Sequence, residues 1–239
     1  VSGPDWQAVV DGTWPAERIA RHGAWTIRTT PGAGGRVNAV SRPDAGLDGL
    51  ESVEARLRAE GRAPSFVIWP AQGALDAALE ARGYAVEDAV HVWSTAPAPL
   101  AGPPLPPATA FPVWPPLAAM RDLWAEGGIG AARQAVMARA AARGAGTGLL
   151  ARVQDRAAGV AFVSAHEGSA MLHALEVVPA RRRRGVGRLL MRAAAAWAAA
   201  EGCTRLALVV TRGNAPANAL YASLGMEIVE GYHYRRARP

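Results

Sequence analysis

The chain has 239 residues, room for one large domain or two small ones, and with 50% hydrophobic and 19% charged residues it is not a disordered polymer. The apolar run 193–200 is bracketed by Arg192 and Glu201, far short of the ~20 residues that a membrane span needs, so no membrane partner is expected. The formal net charge is +6, all 26 basic residues are arginine, and the single Cys203 cannot form an internal disulfide. The stretch around Asp5 and Asp11 carries no basic-then-apolar segment, so a cytoplasmic location is expected.

In chain order, apolar periodicity predicts strands at 24–29 and 36–40, a helix over 47–60, a strand at 65–69, a helix at 74–81 and a strand at 89–94. Gly32-Ala33-Gly34-Gly35 reads as the hairpin loop between the first two strands. Nine of the 18 prolines then fall between Pro97 and Pro116. That composition argues against a helix or a central strand and predicts a semi-rigid linker at 97–107, dividing the chain into domains 1–96 and 108–239. Beyond it, helices are expected over 117–125 and 131–143, followed by strands at 147–154, 157–166 and 169–178. An amphipathic helix runs from Gly185 to Glu201, and a strand at 205–210, a helix at 215–224 and a strand at 228–234 complete the chain. Antiparallel hairpins leading into β-α-β imply an α+β fold with a mixed, mostly antiparallel sheet flanked by helices.

A shift of 142 residues lays Phe66-Val67-Ile68 on Leu208-Val209-Val210, Leu79 on Tyr221, and Gly83-Tyr84 on Gly225-Met226. Matching apolar positions arise by chance in any pair of α/β units, but the preserved order of helix, strand, helix, glycine and strand points to two tandem copies.

Chemistry concentrates in Glu176-Val177-Val178-Pro179-Ala180-Arg181-Arg182-Arg183-Arg184-Gly185-Val186-Gly187-Arg188. A strand ends at Val178, a turn rich in arginine and glycine follows, and a long helix starts at once. Unpaired amides and the positive end of the dipole at such a helix start make an anion site, and glycines let a bulky diphosphate approach the backbone. The competing reading is a solvated or nucleic-acid-facing arginine patch. It lacks interleaved aromatics, which argues against a nucleic-acid partner.

Arg182-x-x-Gly185-x-Gly187 after an apolar strand, with Asn214-x-x-Ala217-x-x-Leu220-Tyr221-x-x-x-Gly225 about thirty residues later, resembles the paired motifs of the GNAT superfamily of acyl-CoA-dependent N-acetyltransferases. The resemblance spans residues 108–239 and implies acetyl-CoA as co-substrate. It implies that Arg182, Arg183, Arg184, Gly185, Val186, Gly187 and Arg188 cradle the pyrophosphate and that the backbone at Val177 and Val178 pairs with pantetheine. It further implies that Asn214 contacts the cofactor or holds the strands apart, and that Tyr221 protonates the departing thiolate. Asn214 also reads as a helix N-cap, and a lone helical tyrosine is usually core. The implied reaction is direct acetyl transfer to a primary amine, on a small molecule or a peptide, within a ternary complex. A non-enzymatic acyl-CoA sensor is the alternative, and either would act as a monomer or homodimer without a metal.

For the general base the candidates are Glu176, His173 and water. Strand alternation separates Glu176 from His173 unless a bulge intervenes, and an acid inside an apolar strand needs a function or a partner, which favours Glu176. The loops 127–130 and 144–148 are expected to border the acceptor. In the first half the cradle falls on Val40-Ser41-Arg42-Pro43-Asp44-Ala45 and Tyr221 on Leu79, so that half is expected to bind no CoA.

Overall fold

The computed structural model describes residues 3–144 and 146–237; Ala145 of the expected loop 144–148 lies outside them. The chain opens with an unanticipated helix, α1 (Trp6–Thr13), which the Asp5 carboxylate caps by accepting from Ala8 N and which buries Trp6, Val9, Val10 and Thr13. The antiparallel hairpin β1 (Arg18–His22) and β2 (Trp25–Thr29) turns at Gly23. The strand expected at 36–40 is mostly a 3-10 turn, Gly35–Val37, and only β3 (Val40–Ser41) pairs. Asn38 is the cause: its side chain takes the Thr30 N–H and donates to Thr30 O and Gly34 O, competing with a ladder.

Next come α2 (Leu50–Ala59), β4 (Ser65–Ile68), α3 (Gly73–Ala81) and β5 (Ala85–Thr95). The proline-rich stretch is not a helix-free linker. Pro97 occupies the first turn of α4 (Pro97–Ala101), where its missing N–H costs nothing, and Leu100 and Ala101 pack against a hydrophobic core. Arg192 fixes the segment by donating to Ala101 O and Pro103 O. β6 (Ala110–Val113) tolerates Pro112 because it is an edge strand. The chain continues through α5 (Ala118–Glu126), α6 (Ala131–Ala142), β7 (Gly146–Val153), β8 (Arg156–His166) and β9 (Ser169–Val177). It ends with α7 (Val186–Ala200), β10 (Arg205–Thr211), α8 (Ala215–Ser223) and β11 (Glu227–Arg236).

The fold is α+β, with mixed, mostly antiparallel pairing and flanking helices, and it forms two compact units. Unit 1 is Val1–Pro15, Val92–Val210 and Asn214–Val229; unit 2 is Ala16–His91, Thr211–Gly213 and Glu230–Pro239. These units differ from the division at 97–107, because α1 and the end of β5 count with the first and most of β11 with the second.

In unit 2 the strands run β1-β2-β3-β4-β11-β5 over a core of Trp25, Leu57, Phe66 and Leu79. In unit 1 they run β5-β10-β9-β8-β7-β6, with β6 to β9 antiparallel and β9 parallel to β10. One face of this sheet carries α7 through Leu190, Met191, Ala194 and Ala198. The duplication is legible in the backbone. The 142-residue offset carries α3 onto α8 residue for residue, and the Tyr84 N to Leu79 O bond of 3.1 Å recurs as Met226 N to Tyr221 O at 3.2 Å.

Candidate active site

β9 and β10 pair from Ser169↔Arg205 to Leu172↔Leu208, yet β9 continues to Val177 and β10 to Thr211. Between their C-terminal ends the ladder therefore stops, leaving backbone groups for another partner. Val178 N donates to Ala158 O at 3.0 Å, so its amide is already committed to the β8 side. Alternation turns the Val177 amide toward the opposite edge, where the ladder is open.

A bulge sets which way Glu176 and His173 face. Val160 pairs with Glu176 but Phe162 with His173, so β9 carries one extra residue between them, and Ala174 takes the left-handed conformation at φ 52°. Parity flips there. Leu172 and Leu175, three apart, both pack toward α7, whereas His173 and Glu176 share the opposite face. His173 is buried there, its Nε2 3.0 Å from Thr13 Oγ1 and its ring 4.9 Å from that of Trp14. That setting makes His173 a packing residue.

Glu176 is half-buried, and among the described residues no hydrogen bond or ion pair holds its carboxylate. A Cβ added at Gly127, just after α5, would lie 2.6 Å from its Cδ, so the loop backbone at 127 covers the acid closely. Burial raises the affinity of Glu176 for its proton, only partly offset by the positive charge of Arg182. Tyr221 on α8 is buried with its ring 6.3 Å from that of Trp93. Burial first, and then the negative charge of Glu176, push its hydroxyl up to about 12. The two groups thus feel one another, and at neutral pH Tyr221 holds a proton.

The turn after β9 leads directly into α7. Arg183 (φ 61°) and Gly185 (φ 79°) are left-handed, and Gly185 starts the helix with no side-chain cap. The first helical bond is Leu189 N to Gly185 O, so the amides of Val186, Gly187 and Arg188 precede the ladder, and no backbone partner of theirs is found among the described residues. The second glycine serves packing: a Cβ at Gly187 would lie 2.9 Å from Leu220 Cδ2 on α8.

The arginine cluster divides by partner. Arg181 donates to Gln154, Arg182 to Val177 O, Arg188 to Ser223 and Arg192 to the α4 segment. Arg183 and Arg184 are exposed, and no partner of theirs is found among the described residues. Asn214 caps α8 by accepting from Ala217 N at 3.2 Å. Asn218, one turn later, accepts from Trp93 Nε1 at 2.9 Å and so ties β5 to α8 beside Tyr221. Trp93, Asn218, Trp124 and the bulge were not readable as site features, since nothing in an Ala-Leu-Glu strand sequence marks a left-handed alanine. Among the described residues no cluster of His, Cys, Asp or Glu is set to hold a metal, and no helix is long and apolar enough to cross a membrane.

Residues 117–226 match the family model described as the Acetyltransferase (GNAT) family. The fold as a whole resembles a GCN5-related N-acetyltransferase from Kribbella flavida, with TM-score 0.71, 18% identity and coverage of 96% of this chain and 93% of that one. It also resembles a tandem GNAT protein from the clavulanic acid biosynthesis pathway, with TM-score 0.63, 19% identity and coverage of 96% and 88%. A third similar structure is a GCN5-related N-acetyltransferase from Sphaerobacter thermophilus, with TM-score 0.58, 14% identity and coverage of 90% and 78%. The sequence has no significant match among curated proteins. The chain has the GNAT acetyltransferase fold in the tandem form, with the family model matched in its C-terminal half.

Proposed function

We propose, taking that fold as premise, that the chain transfers an acetyl group from acetyl-CoA to a primary amine by direct attack within a ternary complex. The observation that carries this reading is the parting of β9 and β10 beyond Leu172 and Leu208, where β9 continues to Glu176, half-buried beneath Gly127.

The residues present fit an acyl-CoA. The amides of Val186, Gly187 and Arg188 and the exposed Arg183 and Arg184 suit a diphosphate, and the N–H of Val177 suits a pantetheine carbonyl. Bound there, acetyl-CoA supplies the acyl thioester. Glu176 takes a proton from the ammonium form of the amine, leaving the nitrogen neutral and nucleophilic. As the nitrogen–carbon bond forms and the carbon–sulfur bond breaks, the nitrogen releases its second proton to water and Tyr221 Oη gives one to the sulfur. Neutralising Glu176 removes the negative charge that raises the Tyr221 pKa, so the hydroxyl becomes a stronger acid when it is needed. Exchange with water then returns one proton to Tyr221 and removes one from Glu176.

Unit 2 is read as a copy without a cofactor site. Leu79, fully buried in its core, stands where the offset would place Tyr221. In place of an open arginine turn, Arg42 is buried on the Trp25 ring and donates to Asp44, whose carboxylate also accepts from Gly46 N. One acetyl-CoA per chain is expected. The acceptor is an amine of a small molecule or a peptide, and the reading involves no nucleic acid, since most of the arginine cluster is engaged within the fold.

Two outcomes test this. Arg183→Glu/Arg184→Glu should weaken acetyl-CoA binding at least about tenfold by calorimetry while thermal unfolding stays unchanged, because both side chains are exposed. Gly187→Glu should abolish binding but is the less clean probe, because it also displaces Leu220. Tyr221→Phe, assayed by thiol release over a panel of amines, should lower kcat about 10²-fold with acetyl-CoA affinity unchanged. Full turnover in Tyr221→Phe would return Tyr221 to the core, and acetyl-CoA binding without turnover in the wild type would mark an acyl-CoA sensor.

A further inference from the structure

The orientation of Glu176 depends on a left-handed alanine, and something must hold that alanine there. A non-glycine residue at positive φ costs about 1 kcal/mol or more, so Ala174 at φ 52° persists only where its surroundings over-determine it. Trp124, on α5, is fully buried, and its Nε1 donates to the Ala174 carbonyl at 2.9 Å. That carbonyl belongs to the bulge itself and is withdrawn from the β8–β9 register, which runs from Phe162↔His173 to Val160↔Glu176. Three residues beyond Trp124, where α5 ends, Gly127 places its backbone against the Glu176 carboxyl. The same helix therefore both fixes the bulge and roofs the acid.

We infer that Trp124 is a positioning residue for Glu176: its indole N–H locks the Ala174 bulge, and the locked bulge turns the Glu176 carboxylate onto the face covered by Gly127. Without the lock, regular alternation would place residue 176 on the face that carries α7, opposite to His173, or Ala174 would relax and take the end of β9 with it. The inference rests on Glu176 as the general base only for its kinetic consequence. Its structural content is independent of that reading.

The two are separated by measuring both. Besides Trp124, the groups acting on Glu176 are Arg182 in the turn after β9 and Tyr221 on α8. Trp124→Phe keeps an aromatic ring in the core and removes the N–H. Ala174→Gly places at the bulge a residue that takes positive φ without penalty. In carbon-13 titrations of glutamate side chains, with Glu176 assigned through Glu176→Gln, the wild-type carboxyl should titrate above the ordinary range. Trp124→Phe should bring it down toward that range, and Trp124→Phe/Ala174→Gly should restore it. The kcat should follow the same order, falling tenfold or more and then largely recovering, with acetyl-CoA affinity constant throughout. A merely structural tryptophan would leave a packing defect that a glycine at 174 cannot repair. An unmoved titration in Trp124→Phe, or a shift that the double variant fails to reverse, would overturn the inference. Restored titration in a protein that acetylates no amine would sustain it and overturn the acetyltransferase reading instead.

Discussion

Glu176→Gln is expected to lower kcat by about 10³-fold, within the range of general acid–base catalysis, while acetyl-CoA still binds with wild-type affinity. Glutamine is nearly isosteric, so the fit beneath Gly127 is kept and only the ability to take a proton is lost. The pH profile gives the sharper reading. A base works only when deprotonated, and burial holds the Glu176 proton to higher pH than an ordinary carboxyl would. Wild-type kcat should therefore decline as pH falls through that raised value, above the pH at which an exposed glutamate titrates. The residual activity of Glu176→Gln should lose that acidic limb. Its persistence in the variant would assign the titration to another group and leave water as the base. Tyr221 adds no second limb in the physiological range, since its hydroxyl titrates at about 12.

Most elements were legible because each carries its own periodicity: α5, α6, α7 and α8 and strands β7 to β11 lie within a few residues of their expected bounds. The turn between β9 and α7 was legible for the same reason, since a strand, a glycine turn and a helix start follow one another without a break. Apart from the 3-10 turn at Gly35–Val37, which Asn38 sets locally, the misses have their cause in contacts remote in sequence. α1 is too short for its pattern to stand out, and it is held by Thr13 on His173 and Trp14 against Phe162, some 150 residues away. α4 needs the backbone bonds from Arg192 to hold a helix among prolines. The bulge at Ala174, whose carbonyl accepts from the indole of Trp124 fifty residues upstream, brings Glu176 and His173 onto one face, which alternation alone does not predict. The 142-residue offset located both copies but not their final strands. β5 lends its end to unit 1 and β11 gives most of itself to unit 2, because a sequence period says what an element is and not which core it completes.

Residues 105–239, expressed alone, should fail to fold, even though they include the entire stretch that matches the family model. That fragment loses residues 1–15 and 92–104, which belong to unit 1 and include α4. Without α1 it lacks Trp6 and the Thr13 and Trp14 contacts that bury His173 and Phe162. Without Pro15 it lacks the carbonyl that accepts from Arg139 on α6. Without Val92 to Thr95 it lacks Trp93, which packs in the core with Tyr221 and donates to Asn218. Truncating one buried tryptophan costs about 3–5 kcal/mol, and three together approach or exceed the roughly 5–15 kcal/mol by which a typical domain is stable. The segment from Glu230 onward, which belongs to unit 2, would in addition be left without its core. The fragment should aggregate or show no cooperative thermal transition, whereas the full chain unfolds cooperatively and titrates with one acetyl-CoA. A milder version of the same loss is available in the intact protein: Trp93→Ala should lower the melting temperature and loosen Tyr221, reducing kcat along with stability. A soluble 105–239 fragment with a sharp transition and full activity would mean that the family-matched half completes its own core, and two equivalent acetyl-CoA sites per chain would mean that the pair formed by Arg42 and Asp44 opens to a second cofactor.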